Sequence, residues 1–306
     1  MSKKDKKKSE EILRYNIAER YSKKIEDILS KMDFSSEDEL REFIKKVRDK
    51  YKDFEPPPKT PLDKARDIIY DAWESDREER IRLAEKALEI SKDCADAYVL
   101  LAEASEDLKE SYKLYKKGVE VGERALGEKI FEEQVGHFWG IVKTRPYMRA
   151  RYGYAECLWN LGEEEQAIKH LKDMLRLNPN DNQGVRYFMI NCLIEMGNDE
   201  DAWELLKNYS EYSASWAYTR ALLMFRREGD SVIANTLLNK AFEVNKYVAK
   251  ILTGEKELPD ATPVYYSPGS IEEAEIYIGE SLGAWNTSKG SLEWTYENYK
   301  KFKRRN

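Results

Sequence analysis

The sequence predicts an all-α chain in which antiparallel helix pairs stack as a helix-turn-helix repeat superhelix, an α-solenoid, with a helical cap at each end. Three observations carry this. Only 15 glycines and 9 prolines are spread over 306 residues, too few for a sandwich of many short strands. An alanine recurs five residues after a glycine at Gly162/Ala167, Gly197/Ala202 and Gly229/Ala234. The glycines are 35 and 32 residues apart, the period of a two-helix repeat.

Taken in chain order, Ile12, Tyr15, Ile25, Ile28, Leu29 and Met32 predict an amphipathic helix over residues 9–33. Ser36 and Glu39 form a capping box opening a second helix through Leu40, Phe43, Ile44, Val47 and Tyr51. Pro56-Pro57-Pro58 and Pro61 then make a stiff linker. Residues 1–60 are thus expected to be a basic tail, a helical hairpin and a Pro-rich linker, the hairpin capping the superhelix or docking a partner.

Residues 61–247 are expected to be one repeat domain of about five helix pairs. In residues 61–94, Ile68, Ile69, Ala72, Trp73, Leu83, Ala84, Ala87, Leu88 and Ile90 mark the first pair, with Ser75-Asp76 where later pairs have glycine. Residues 95–128 begin through Ala97, Tyr98, Leu101 and Ala102; their second helix, from Tyr112, is expected to run on toward Phe131. An insertion near residues 129–147 follows. The cleanest pair is residues 148–181, with Tyr154, Ala155 and Leu158 on one helix and Ala167, Leu171, Met174 and Leu175 on the next, stopped at Asn178-Pro179. Residues 182–213 repeat the pattern through Phe188, Met189, Cys192, Gly197, Ala202, Leu206 and Tyr209. Residues 214–247 do so through Ala221, Leu222, Phe225, Gly229, Ala234, Leu238 and Ala241. Residues 248–306 are expected to be an irregular connection, a capping helix and a basic tail, the helix presenting Ile271, Ala274, Ile278, Leu282 and Trp285 on one side.

The small and aromatic residues at these offsets resemble the tetratricopeptide repeat (TPR). The stretch from Ala241-Phe242-Glu243-Val244-Asn245 through Trp285 and Gly290-Ser291-Leu292 resembles the C-terminal part of the suppressor-of-tumorigenicity protein family. The chain is also similar to uncharacterised bacterial TPR proteins that share Gly136-His137-Phe138-Trp139-Gly140 and Arg145-Pro146-Tyr147-Met148-Arg149-Ala150. The TPR resemblance implies a concave groove formed chiefly by the first helix of each pair. It implies no defined chemistry.

Charge narrows the partners. Lys and Arg number 52 against 58 Asp and Glu; residues 1–8 hold five Lys and one Asp, and residues 300–306 five bases and no acid. Residues 9–299 therefore carry 42 bases and 57 acids, a net charge of −15, which disfavours general nucleic-acid binding. Cys94, Cys157 and Cys192 form no Cys-x-x-Cys pair, which argues against a disulfide framework and fits a reducing, cytoplasmic setting. No apolar run reaches membrane-spanning length, unlike in the animal family members.

His137 and His170 are the only histidines, so a histidine triad or multi-histidine metal site is not expected. No Walker, dinucleotide, H-E-x-x-H or EF-hand motif occurs, and no cofactor is expected. The candidate binding residues are His137, Phe138, Trp139, Arg145, Tyr147, Arg149, Tyr152, Glu156, Arg186, Trp216 and Arg226, a mixture of aromatic anchors and arginine forks. The competing reading is that segment 136–151 is an inter-repeat insertion whose aromatics fill core and whose arginines pair with Glu132, Glu133 and Glu156. The leading expectation is a non-catalytic protein-protein interaction scaffold holding a peptide or protein segment, acidic or carboxylate-bearing, in the groove. The alternatives are a small-ligand sensor or enzyme with a pocket around residues 136–151, and a self-assembling structural protein in which homo-oligomers form.

Overall fold

The computed structural model describes residues 59–259, 263 and 265–304, together with 19, 20, 22, 23, 25, 36, 38, 39 and 41–43. The expected linker Pro56-Pro57-Pro58 and most of both expected N-terminal helices lie outside these residues; Glu39 N–H does donate to Ser36 Oγ, half of the anticipated capping box. The described residues form helices and turns without a strand, arranged as TPR-like helix pairs. Contacts divide the chain into two compact units, residues 1–182 and 183–306.

In the first unit, α1 (Pro61–Trp73) begins where Thr60 and Asp63 cap each other reciprocally and Pro61 supplies a preset φ. Asp76 accepts from Glu79 N–H to start α2 (Arg77–Ile90), so the turn that lacks glycine is closed by Asx chemistry instead. Ala65, Ala72, Ala84, Ala87 and Ala97 are fully buried with Ile69 and Leu100, and their short side chains let α1, α2 and α3 (Ala95–Ala104) approach closely.

Next come α4 (Leu108–Leu126) and α5 (Glu128–Glu133). The expected continuation of α4 toward Phe131 does not occur, because Gly127 at φ 75° turns the chain out of the helix. Two single-turn 3-10 helices, Phe138–Gly140 and Val142–Thr144, then lead into α6 (Arg145–Asn160). Helix α6 crosses α4 at Gly153, where a Cβ would sit 2.2 Å from the Tyr115 ring. Gly162, at φ 81°, reverses the chain into α7 (Glu164–Leu177), which stops before Pro179 as the sequence predicts.

The second unit contains α8 (Val185–Glu195), α9 (Asp199–Asn208), α10 (Ala214–Glu228), α11 (Val232–Val244), α12 (Lys246–Leu252), α13 (Ile271–Thr287) and α14 (Ser291–Lys303). Its C-terminal part departs from the expected single capping helix. A second helix, α14, follows after Gly290 and packs on α10, α11 and α12, while α13 packs on α8, α10 and α12. Helices α8 and α10 are the first helices of their pairs, the ones from which the TPR resemblance builds a groove, and α13 packs on both. Ala274, Tyr277, Ile278, Ser281 and Trp285 are its buried side; Leu282, expected there, is exposed.

Helix α13 is anchored by the buried Glu273. Its carboxylate accepts from Ala214 N–H at 3.0 Å, Gly269 N–H at 2.7 Å and Asn245 Nδ2 at 2.9 Å. These donors come from the start of α10, the turn before α13 and the α11–α12 junction, so one carboxylate ties three segments of the unit together.

Candidate functional site

The first helices of the first unit's pairs, α1, α3 and α6, converge on a charged recess. Arg145 and Arg149 lie one turn apart on α6 and therefore point the same way. Arg149 grips Asp96, at the start of α3, with Nε to Oδ1 and Nη2 to Oδ2, both 2.7 Å, the bidentate geometry for which a planar guanidinium is suited. Its remaining donors reach the Glu19 carboxylate at 3.1 and 3.2 Å, and its plane lies 4.6 Å over the Trp73 ring of α1. Arg145 donates from Nη1 to Glu19 at 3.1 Å and from Nε to the Trp139 carbonyl at 2.9 Å, and it stacks 5.5 Å from the Trp139 ring centroid. Tyr70 O–H completes the set at 3.4 Å from Glu19.

Glu19 is only 2% exposed. Burial alone would push its carboxyl up, but the charges and hydrogen bonds of Arg149 and Arg145 outweigh burial and hold it below the usual glutamate range. Burial likewise opposes the Arg149 charge, and Asp96 and Glu19 outweigh it, keeping the guanidinium firmly protonated. The Tyr70 hydroxyl is pushed up, first by burial and then by the Glu19 charge, so it donates. Two cations thus face two anions, and only Asp96 of the anions belongs to the repeat helices.

The remaining candidates separate into packing and surface. Phe138 is fully buried, with ring contacts to Phe131 and Tyr147, and Tyr147 is 2% exposed with its hydroxyl accepting from Arg151 Nη1 at 2.8 Å. Both therefore fill core rather than a binding wall, because the short turns before α6 fold back over α4 and α5. Trp216 is corrected in the same way: it is 1% exposed, and its indole N–H is consumed by the Tyr209 carbonyl at 2.8 Å. His137 is exposed, and Tyr152 and Glu156 are half-buried along α6. The expected pairing of the α6 arginines with Glu132, Glu133 and Glu156 is replaced by Glu19 and Asp96, and by Asp173 at 2.5 Å from Arg151.

In the second unit Arg186 donates to Glu211 at 2.8 Å and lies against the rings of Tyr187, Tyr209 and Trp216, at 4.2, 5.1 and 5.6 Å. Arg226 is held by Asp199 at 2.8 and 2.9 Å and by Ser288 Oγ at 2.8 Å. Both cross-link helices of their own unit. Among the described residues no group of His, Cys, Asp and Glu gathers that could hold a metal ion, and no helix is long and apolar enough to cross a membrane.

Sequence reasoning missed Glu19, Trp73 and Asp96 as members of the recess. Asp96 carried a usable signal, since it is the one charged residue in the first two turns of a helix otherwise apolar at its start, Ala95-Asp96-Ala97-Tyr98-Val99-Leu100-Leu101-Ala102. Glu19 carried none, because its partners stand 126 and 130 residues away.

Comparison with known proteins gives the family. The bovine "Suppressor of tumorigenicity 7 protein-like" is 26% identical over 250 residues, covering 74% of this chain and 45% of its own length. The Drosophila melanogaster "Protein ST7 homolog" is 27% identical over 254 residues, covering 74% and 47%. The chain thus spans less than half the length of these relatives. Among solved structures, that of YrrB, described as a TPR protein with an unusual peptide-binding site, has a TM-score of 0.42 and 19% identity, covering 66% of this chain and 91% of that one. Residues 59–249, which take in every helix pair described above from α1 to α11, match the model of the ST7 protein family, and the chain belongs to that family.

Proposed function

We propose that this protein is a non-catalytic protein-interaction scaffold whose first unit holds a carboxylate-bearing side chain of a protein or peptide partner at Arg145 and Arg149. The observation that carries the reading is a twin-arginine recess, backed by Trp73 and Trp139, whose central anion is supplied from outside the repeat helices. Stacking on the two indoles fixes both guanidinium planes, so little rotamer entropy is lost when a carboxylate arrives. With Asp96 neutralising one arginine, the recess without Glu19 carries one net positive charge, which favours an anion over a neutral amide. Three free, buried cysteines accord with a cytoplasmic setting.

The test uses a labelled helical peptide with a central Glu and the same peptide with Gln. Wild type is expected to bind the Glu peptide about tenfold more tightly, the value of one charge-assisted hydrogen-bonded contact. Arg149→Gln should erase the difference. Equal affinity of wild type for both peptides would overturn the reading.

A further inference from the structure

We propose that Glu19, Arg20 and Lys23 form a built-in pseudo-ligand that closes the arginine recess, and that the natural partner is a helical segment displaying the same charge pattern. The inference rests on the reading of Arg145 and Arg149 as a carboxylate site and adds to it the site's regulation and the sequence pattern of its ligand.

The contacts define the pattern. Residues 19, 20, 22, 23 and 25 are helical. Glu19 enters the recess, and the cavity beside it, between Tyr70, Trp73 and Asp96, measures about 10 Å³, room for one water at most. Arg20, one residue on, donates to Asp71 at 2.6 Å and to the Asp67 carbonyl at 3.3 Å, with its guanidinium 5.2 Å from the Tyr70 ring centroid. Lys23, one helical turn beyond Glu19, donates to Asp63 at 2.7 Å. Asp63, Asp67 and Asp71 recur every fourth residue and form an acidic stripe along α1. An acidic stripe on α1 beside an arginine pair on α6 selects a helix with a carboxylate at one position and bases one and four positions later.

Glu19 itself is buried, but the contacts that hold it there from Arg20 and Lys23 are partly solvated: the side chains of the Arg20–Asp71 pair are 36% and 63% exposed and those of Lys23–Asp63 12% and 24%. Such pairs contribute little each and weaken with salt. They suffice to hold a tethered segment, because covalent connection gives it an effective concentration near the millimolar range. They are also weak enough for a partner with the same pattern to displace it. A closed state reduces the apparent affinity for that partner by the fraction of open molecules.

The test uses full-length protein and, as probe, a labelled synthetic peptide with the sequence of residues 12–30. Glu19→Gln should raise the affinity for this peptide about tenfold, as expected when the open state of wild type is roughly a tenth populated. Arg20→Ala/Lys23→Ala, which loosens the segment without touching α6, should do the same. Saturating peptide should also speed tryptic cleavage of wild type after Arg20, a displacement that a permanently packed helix would not show. Unchanged peptide affinity in both variants, with Arg149→Gln still weakening binding, would sink the pseudo-ligand and leave the carboxylate site standing. If Arg149→Gln leaves binding of the peptide unaltered, the site itself is wrong. Circular dichroism of each variant verifies that the helices persist.

Discussion

Arg149 is the residue on which most depends, because among the described residues it alone touches both acids of the recess and the Trp73 ring. Removing one member of a buried ion network costs more than removing the network, since the partner is left desolvated and uncompensated. Arg149→Ala is therefore expected to destabilise the first unit by about 3–5 kcal/mol, and Arg149→Met/Asp96→Leu by clearly less. Urea midpoints of the two variants decide the point; a double variant as unstable as the single one would show that burial of unpaired charge is not the cause. His170 offers a second measurement at this scale. Burial, then the Arg151 charge, pulls its pKa down to about 4, and Arg151 Nε donates to its Nδ1 at 3.2 Å, which requires a neutral ring. A histidine depressed in the folded state binds its proton preferentially when unfolded, so stability is full above the unfolded value near 6.5 and falls as pH drops from there toward 4. Because the ring is only half-buried, the loss is about 1–2 kcal/mol. His170→Gln should flatten this limb of a stability–pH curve, and an unchanged slope would assign it to other groups.

At the scale of elements, Glu273 and Gly153 separate two ways of fixing a helix. Glu273 accepts from three N–H donors, which no solvent replaces once α13 lies over α8 and α10. Glu273→Ala is expected to cost about 3–5 kcal/mol, with amide exchange quickening first at the starts of α10 and α13; uniform quickening over the second unit would deny it a local anchoring role. Gly153 works by absence of a side chain. Gly153→Ala should cost about 1–3 kcal/mol through overpacking against Tyr115, and adding Tyr115→Leu should recover part of that loss. The lack of recovery would point to backbone freedom instead. Local signals found these helices because capping and reversal are short-range: Asp76 stands three residues from the amide it caps, and Gly162 ends its own helix. Helix α14 escaped notice since its buried Trp294, Thr295, Asn298 and Tyr299 read as a polar, basic tail when only charge is counted.

At the scale of the whole molecule, charge sets how a partner arrives. A body of −15 attracts a helix that carries one carboxylate followed by two bases, and the acidic stripe of α1 and the arginine pair of α6 sort its charges at contact. Raising salt from low to physiological strength should thus slow association of the peptide of residues 12–30, which carries four bases and three acids, and speed its dissociation, which stopped-flow mixing resolves. An association rate that rises with salt would contradict a partner with this charge pattern. From the sequence alone came the helical class, the helix pairs from Pro61 to Val244, their turn residues and the segment around Arg145 and Arg149, all encoded by periodicity and turn chemistry within a few residues of one another. Only the tertiary structure decided that Phe138, Tyr147 and Trp216 are core, that α13 packs on α8 and α10, and that Glu19 occupies the arginine recess. Burial and ion pairing join residues that the chain separates by up to 130 positions, and no local pattern records which distant carboxylate will meet a given guanidinium.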